Sequence, residues 1–336
     1  MRVSVLAVLL LVSCGASGPH ERSAAVRWLP VWQAVPTISA EVPDQSVRTT
    51  VNLTAGGTSV RVRLSNLMGT KPVRVEQVEV TANGETRPLT FRGSRAVTIK
   101  ARDEVYSDAL PLTVTTALEI STYTPAGTPC QARAWRTITS THTNICLVSA
   151  VEVAGFTAPG AAVMLGDSIT EGYVEGNWPE MVESDHAVLN AGISGNGVVF
   201  GDAPMVTRLH RDVLYSDEVR KVVLLGGIND IQNGISADNV IAGIRTILQR
   251  CSNEGVQVTV GTITPWRGWR NWTEEREQQR QKVNAWIRAT FPDAIDFDLA
   301  VQDPADPLRL RPAYDSGDHL HPNAAAFGAM ARLVRV

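Results

Sequence analysis

Ala161-Ala162-Val163-Met164-Leu165-Gly166-Asp167-Ser168 decides the architecture of the second half of this 336-residue chain. Its first six residues form an unbroken apolar run of strand length. A strand that does not alternate is buried on both faces, as strands are in parallel sheets covered by helices. Gly166 then permits a sharp turn, and the residues after Ser168 read as a helical segment. The same rhythm recurs at Ala187 to Ala191, Lys221 to Gly226, Gln257 to Ile263 and Ala294 to Asp298, with helical patterns over Ser236 to Arg250 and Thr273 to Thr290. Five short strands alternating with helices predict an α/β domain over residues 158–336, with a parallel sheet covered on both faces. In such a sheet the ligand crevice lies outside the carboxyl ends of the strands.

Chemistry-bearing residues cluster where that rule puts them. Ser168 follows the first strand, and Gly192-Ile193-Ser194-Gly195-Asn196 follows the second. Gly227-Ile228-Asn229-Asp230 follows the third, and Asp318-His319-Leu320-His321-Pro322 lies near the C-terminus. A serine hydroxyl is a weak nucleophile unless a base takes its proton as it attacks. Of the six histidines, His321 is the candidate base, in one turn with Asp318, whose carboxylate could orient its imidazole. His319 is the rival, but its place directly beside Asp318 should turn its ring elsewhere. A metal reading of this histidine pair lacks a third ligand cluster. Attack on an ester puts negative charge on the carbonyl oxygen. The Gly195 and Ser168 backbone N–H groups and the Asn229 amide are the candidate donors for it. Asn190, Gly192, Gly227 and Asp230 are expected to shape loops.

In residue type, order and spacing these four stretches resemble the signature blocks of the SGNH hydrolases, the GDSL esterase/lipase superfamily. The resemblance spans about residues 160 to 336. It implies metal-independent, cofactor-free ester hydrolysis through an acyl-serine intermediate on a flavodoxin-like sheet. Ser168, Asp318 and His321 would be the relay, with Ser168, Gly195 and Asn229 forming the oxyanion hole.

Upstream, the period changes to two. Ser59-Val60-Arg61-Val62-Arg63-Leu64, Val73 to Val80 and Leu118-Glu119-Ile120-Ser121 alternate, with turn signals at Ala55-Gly56-Gly57, Asn83-Gly84 and Pro125-Ala126-Gly127. Residues 28–152 are therefore expected to form an antiparallel β-sandwich without a catalytic constellation. This part resembles the N-terminal region of secreted bacterial xylan-associated acetyl or aryl esterases. Its expected role is a binding or positioning module, or a cap on the second half.

Residues 1–18 read as a targeting segment: Arg2 precedes an apolar run from Val3 to Val12, too short to span a bilayer. Leu11-Val12-Ser13-Cys14-Gly15 resembles a bacterial lipobox, which would lipidate Cys14 and tether the protein to a membrane. Cleavage near Ala16 or Gly18, giving a freely secreted protein, is the alternative. Export permits disulfides, and Cys130 is paired here with Cys146; closing a loop of about 15 residues would contribute roughly 3 kcal/mol. Cys251 continues the apolar series Val240, Ile241, Ile244, Ile247 and Leu248 and is expected to be a buried thiol. A net charge of −3 without a basic stripe gives no reason to expect nucleic acid.

Trp266, Trp269 and Trp272 punctuate the loop after the fourth strand, on the expected crevice side. Aromatic faces with neighbouring arginines could hold sugar rings, whereas a core anchor is the plainer role for any one of them. The expected activity is an extracytoplasmic esterase acting on acetyl or other short acyl esters of carbohydrate. A lysophospholipase or arylesterase could use the same site. A noncatalytic glycan-binding lipoprotein is the alternative from another class. Oligomeric state, acyl length and alcohol are not legible.

Overall fold

The computed structural model describes residues 26–36, 40–41, 46–125, 129–130, 132–134, 144–172 and 176–336. The targeting segment with Cys14, and the side chains of Cys130 and Cys146, lie outside the described residues.

Eight strands organise the first part: β1 (Leu29–Gln33), β2 (Ser46–Asn52), β3 (Ser59–Ser65), β4 (Gln77–Ala82), β5 (Glu85–Pro88), β6 (Glu104–Tyr106), β7 (Ala117–Tyr123) and β8 (Val148–Ala154). They pair antiparallel in two four-stranded sheets, ordered β1-β8-β3-β6 and β2-β7-β4-β5. The alternation read from the sequence is the burial pattern of β4, where Val78, Val80 and Ala82 are buried and their neighbours are not. Asn83 and Gly84, both at positive φ, close the β4–β5 hairpin.

The second part starts at β9 (Ala161–Gly166) and continues with β10 (Ala187–Gly192), β11 (Val219–Leu225) and β12 (Gln257–Val260). These four strands are parallel, in the order β10-β9-β11-β12. The order reverses at β9, so the loops after β9, β10 and β11 gather at the switch point where such sheets bind ligands. All six residues of β9 are buried, as an unbroken apolar run requires.

One expected strand is missing. Ala294 to Asp298 contributes a single parallel bridge, Ile295 beside Gly261, rather than a fifth strand. Asp296 is the cause: its carboxylate accepts from the Leu299 N–H and caps a short helix that begins at Phe297.

Among the described residues, seven α-helices complete this part: α1 (Ser168–Glu171), α2 (Met205–Asp212), α3 (Ile228–Gln232), α4 (Ala237–Asn253), α5 (Glu274–Thr290), α6 (Phe297–Val301) and α7 (Ala324–Ala331). Ser236, Thr273 and Asn323 cap α4, α5 and α7 with side-chain oxygens. Cys251, on the apolar face of α4, is fully buried, and burial pushes its thiol up to about 11.

The two parts share one contiguous cluster of buried apolar side chains. β1 lies against β10, the outer strand of the parallel sheet. There the Val188 N–H donates to Thr54 Oγ1 at 3.1 Å. Arg27 forks onto the Glu218 carboxylate at the start of β11. The antiparallel part thus covers a sheet edge that would otherwise present unpaired backbone groups.

Candidate active site

Gly166 ends β9 under tight constraint. A Cβ there would stand 2.1 Å from Thr170 Oγ1 and 2.7 Å from the Leu225 carbonyl. The turn that follows is capped by Asp167, whose Oδ1 accepts from the Ile169 N–H at 3.0 Å. Ser168, the first residue of α1, is thereby held at the carboxyl edge of the sheet. Its Oγ lies 2.9 Å from His321 Nε2.

The turn from Asp315 to Pro322 supplies that imidazole. His321 Nδ1 is 2.6 Å from Asp318 Oδ2, while Asp318 Oδ1 accepts from the Leu320 and His321 N–H groups at 2.9 and 2.8 Å. A carboxylate accepting from Nδ1–H leaves the Nε2 lone pair for the serine hydroxyl. Burial works upward on the Asp318 carboxyl. The hydrogen bonds from the ring and backbone of His321 and from Leu320 outweigh it and hold the group below the usual carboxylate value. His319 is turned away, as its position implied. It adopts φ 68° and pairs its Nδ1 with Asp315 at 2.6 Å.

Gly195 has φ 74° with open space where a Cβ would stand, so backbone conformation is what calls for glycine here. Its N–H has no acceptor among the described residues, and the Ser168 N–H opens a helix, where such groups are unpaired by geometry. The Asn229 amide gives one hydrogen to the Asn196 carbonyl at 3.1 Å. Its other hydrogen can meet a developing oxyanion.

Residues 164–328 match the model of the GDSL-like lipase/acylhydrolase family. This part of the chain is similar to GDSL-type hydrolases. Solved structures of similar fold include a GDSL-like lipase from Bacteroides thetaiotaomicron, 22% identical with TM-score 0.44, covering 52% of this chain and 85% of that one. A member of the G-D-S-L lipolytic family from Veillonella parvula is 20% identical with TM-score 0.40, covering 52% and 94%. An acetylxylan esterase from Geobacillus stearothermophilus is 20% identical with TM-score 0.39, covering 52% and 92%. A search of curated proteins finds no match.

Around the hydrolase site, loop-shaping residues act through backbone hydrogen bonds. The Asn190 amide donates to the Thr170 and Glu171 carbonyls and accepts from the Gly192 N–H. Gly192 lets β10 approach α1, since a Cβ there would fall 2.1 Å from the Glu171 nitrogen. Gly227, at φ 120°, caps α3, and a Cβ would meet Ile263 at 2.8 Å. Asp230 is fully buried and accepts from the N–H groups of Val198, Val199 and Phe200 at 2.7, 2.8 and 3.0 Å. Burial still raises its pKa, against the pull of those three donors. Asp167 has fewer donors: burial pushes it up to about 7, with the Asp230 charge adding to the rise and the Ile169 N–H and Arg208 opposing it.

Two residues of the GDSL-type site went unread in the sequence. Glu171, on α1, accepts from both the N–H and the hydroxyl of Ser194 and so anchors the residue before Gly195. Arg208, on α2, donates to Gly166 O, Ala191 O and Asn196 Oδ1, each at 2.8 Å. The spacing of Arg208 and Asp212, four apart on one helix, was a signal for their ion pair but not for its burial.

The three tryptophans separate. Trp266 is fully buried and donates to Glu277, the core-anchor role. Trp269 is half-buried, donates to Gln232 and stands edge-on to His321, with ring centroids 6.1 Å apart. Trp272 lies beneath the Arg267 guanidinium at 5.0 Å. Trp269 alone of the three makes a ring contact with the candidate relay among the described residues.

Proposed function

We propose that the protein is an exported serine esterase that removes acetyl or other short acyl groups from carbohydrate. The observation that carries this reading is the 2.9 Å approach of Ser168 Oγ to an imidazole whose other nitrogen is held by Asp318. As Ser168 attacks the ester carbonyl, His321 Nε2 takes its proton, and Asp318 stabilises the imidazolium. The carbonyl oxygen, now negative, meets the N–H groups of Gly195 and Ser168 and the Asn229 amide. The alcohol leaves with the proton from His321. Water then attacks the acyl-serine by the same route and releases the acid.

Support for a carbohydrate alcohol comes from Trp269. Its half-buried ring borders His321 and carries the Arg270 guanidinium 5.0 Å over it. An aromatic face with a neighbouring cation suits a sugar ring and its hydroxyls better than an alkyl chain. Export rests on the sequence of residues 1–18.

The test is acetate release from acetylated xylan by the purified protein beside Ser168→Ala. Wild-type release that falls by at least about 10⁴-fold in the variant, without unfolding, is the expected result. Turnover retained in Ser168→Ala would overturn the serine mechanism. Turnover of aryl acetates without release from xylan would overturn the carbohydrate assignment alone.

A further inference from the structure

Arg208 is 2% exposed, and its guanidinium is spread over several acceptors rather than committed to one carboxylate. Nη2 donates to the Gly166 carbonyl, two residues before Ser168. Nη1 donates to the Ala191 carbonyl, at the end of β10, and to Asp212 Oδ2 at 3.0 Å. Nε donates to Asn196 Oδ1, the side chain next to Gly195, and the Asn196 carbonyl in turn accepts from the Asn229 amide. One rigid planar group therefore touches the segments that carry the Ser168 and Gly195 donors, and reaches the Asn229 amide through Asn196. Lysine has no such fork.

The chain of contacts continues into the antiparallel part. The Asp212 carbonyl accepts from Gln33 Nε2 at 3.4 Å, as does the Asn190 carbonyl at the same distance. Gln33 Oε1 accepts from the Tyr215 hydroxyl at 3.0 Å. The Tyr215 ring lies 4.6 Å beneath the guanidinium of Arg63, on β3. A buried guanidinium is poor value for stability alone, since apolar packing of the same volume does as well. Its acceptors, at the ends of two strands and on the Gly195 loop, say what its geometry controls.

We infer that Arg208 is a positioning residue that sets the oxyanion hole, and that Gln33 is the arm through which the antiparallel part contributes to it. This rests on the serine-esterase reading. An oxyanion donor helps only where the oxyanion will be, and displacement by about 1 Å costs on the order of 10²-fold. The ester ground state gains little from those donors, so the loss falls on kcat and not on KM.

The experiment measures kcat and KM on an aryl acetate for wild type, Arg208→Lys, Gln33→Leu, Asn229→Ala, Ser168→Ala and the Arg208→Lys/Asn229→Ala double variant. Rates are normalised to sites titrated with a serine-directed phosphonate, except for Ser168→Ala, which is normalised to protein. Arg208→Lys is expected to lower kcat about 10- to 100-fold with KM within about twofold. Gln33→Leu should lower kcat about threefold to tenfold. The double variant should lose far less than the product of its single losses, because both residues serve one oxyanion. A purely structural arginine would lower the fraction of titratable sites and leave kcat per site alone. Normal kcat per site in Arg208→Lys, or losses that multiply with Asn229→Ala, overturns the inference. If Arg208→Lys does not fold, Gln33→Leu decides it: unchanged kcat removes the arm and the inference with it. An inactive Ser168→Ala beside a normal Arg208→Lys sinks this inference alone, whereas an active Ser168→Ala sinks the reading beneath it.

Discussion

The antiparallel and parallel parts both bury charge, and they satisfy it differently. On the antiparallel side Glu152 takes Arg61 and the Tyr106 hydroxyl, and Arg61 and Glu152 are cross-strand partners on β3 and β8. Side chain meets side chain, so the charge fixes the register of two strands. On the parallel side Arg280 on α5 pairs with the side chains of Glu277 and Asp298, whereas around the loops after β9, β10 and β11 Glu171, Asp230 and Arg208 bind mainly to loop backbone or to loop side chains. Charge there fixes the course of loops that no ladder holds. Buried charge thus marks strand pairing at Glu152 and loop position around Ser168, the candidate nucleophile.

Asp167, with fewer donors than Asp230, offers the largest effect. Its folded pKa of about 7 stands above an ordinary 3.8, chiefly through burial. Between those values the folded state holds a proton that the unfolded chain has lost. Stability should therefore fall as pH rises from about 4 to 7 and level off above, by up to about 4 kcal/mol. Asp167→Asn keeps the cap on Ile169 and removes the titration. Thermal melts of both proteins from pH 4 to 8 should diverge, with the variant gaining on wild type as pH rises. Parallel curves would mean that hydrogen bonds from the Ile169 N–H and the charge of Arg208 offset the burial of Asp167.

Asn229→Ala tests whether loop geometry serves the oxyanion. Losing one donor should cost about 2.7–4 kcal/mol in transition-state stabilisation, seen as a 10²–10³-fold drop in kcat with the melting temperature little changed. A loss of only a few-fold would remove Asn229 from that role and leave its bond to the Asn196 carbonyl as its purpose.

What could be read from the chain alone follows from how local each determinant is. Asp318 and His321 pair within a single turn, so their spacing sufficed. The apolar run from Ala161 to Gly166 announces a doubly covered strand, and all six residues are buried. Ala294 to Asp298 looked similar, but a cap at Asp296 turned the chain into α6. Arg208 was illegible because its acceptors Ala191 O and Gly166 O lie 17 and 42 positions away and are backbone atoms, which no residue type announces. The three tryptophans were equivalent on paper, and packing alone set Trp269 beside His321 and Trp266 in the core. The alternation of β3, β4 and β7 was plain, whereas the shared core with the parallel part was not, because no periodicity says what a buried face packs against.

The smallest effect is the one that could break the comparison. Glu152 is 2% exposed and holds the Arg61 fork, which lies between the rings of Trp28 and Tyr106 at 4.5 and 4.4 Å. Glu152→Ala strands that guanidinium, but about a quarter of the Arg61 side chain is open to water, at 27%. Partial hydration and the two aromatic faces should limit the cost to about 2 kcal/mol, below that of breaking a fully buried pair. A strand-register role predicts a lower denaturation midpoint with unchanged kcat and KM per titrated site. A drop in kcat at full folding would mean that charge buried between strands β3 and β8 also reaches the catalytic loops. The route would then run from β3 through Arg63 and Tyr215 to Gln33, the arm that already joins the two parts.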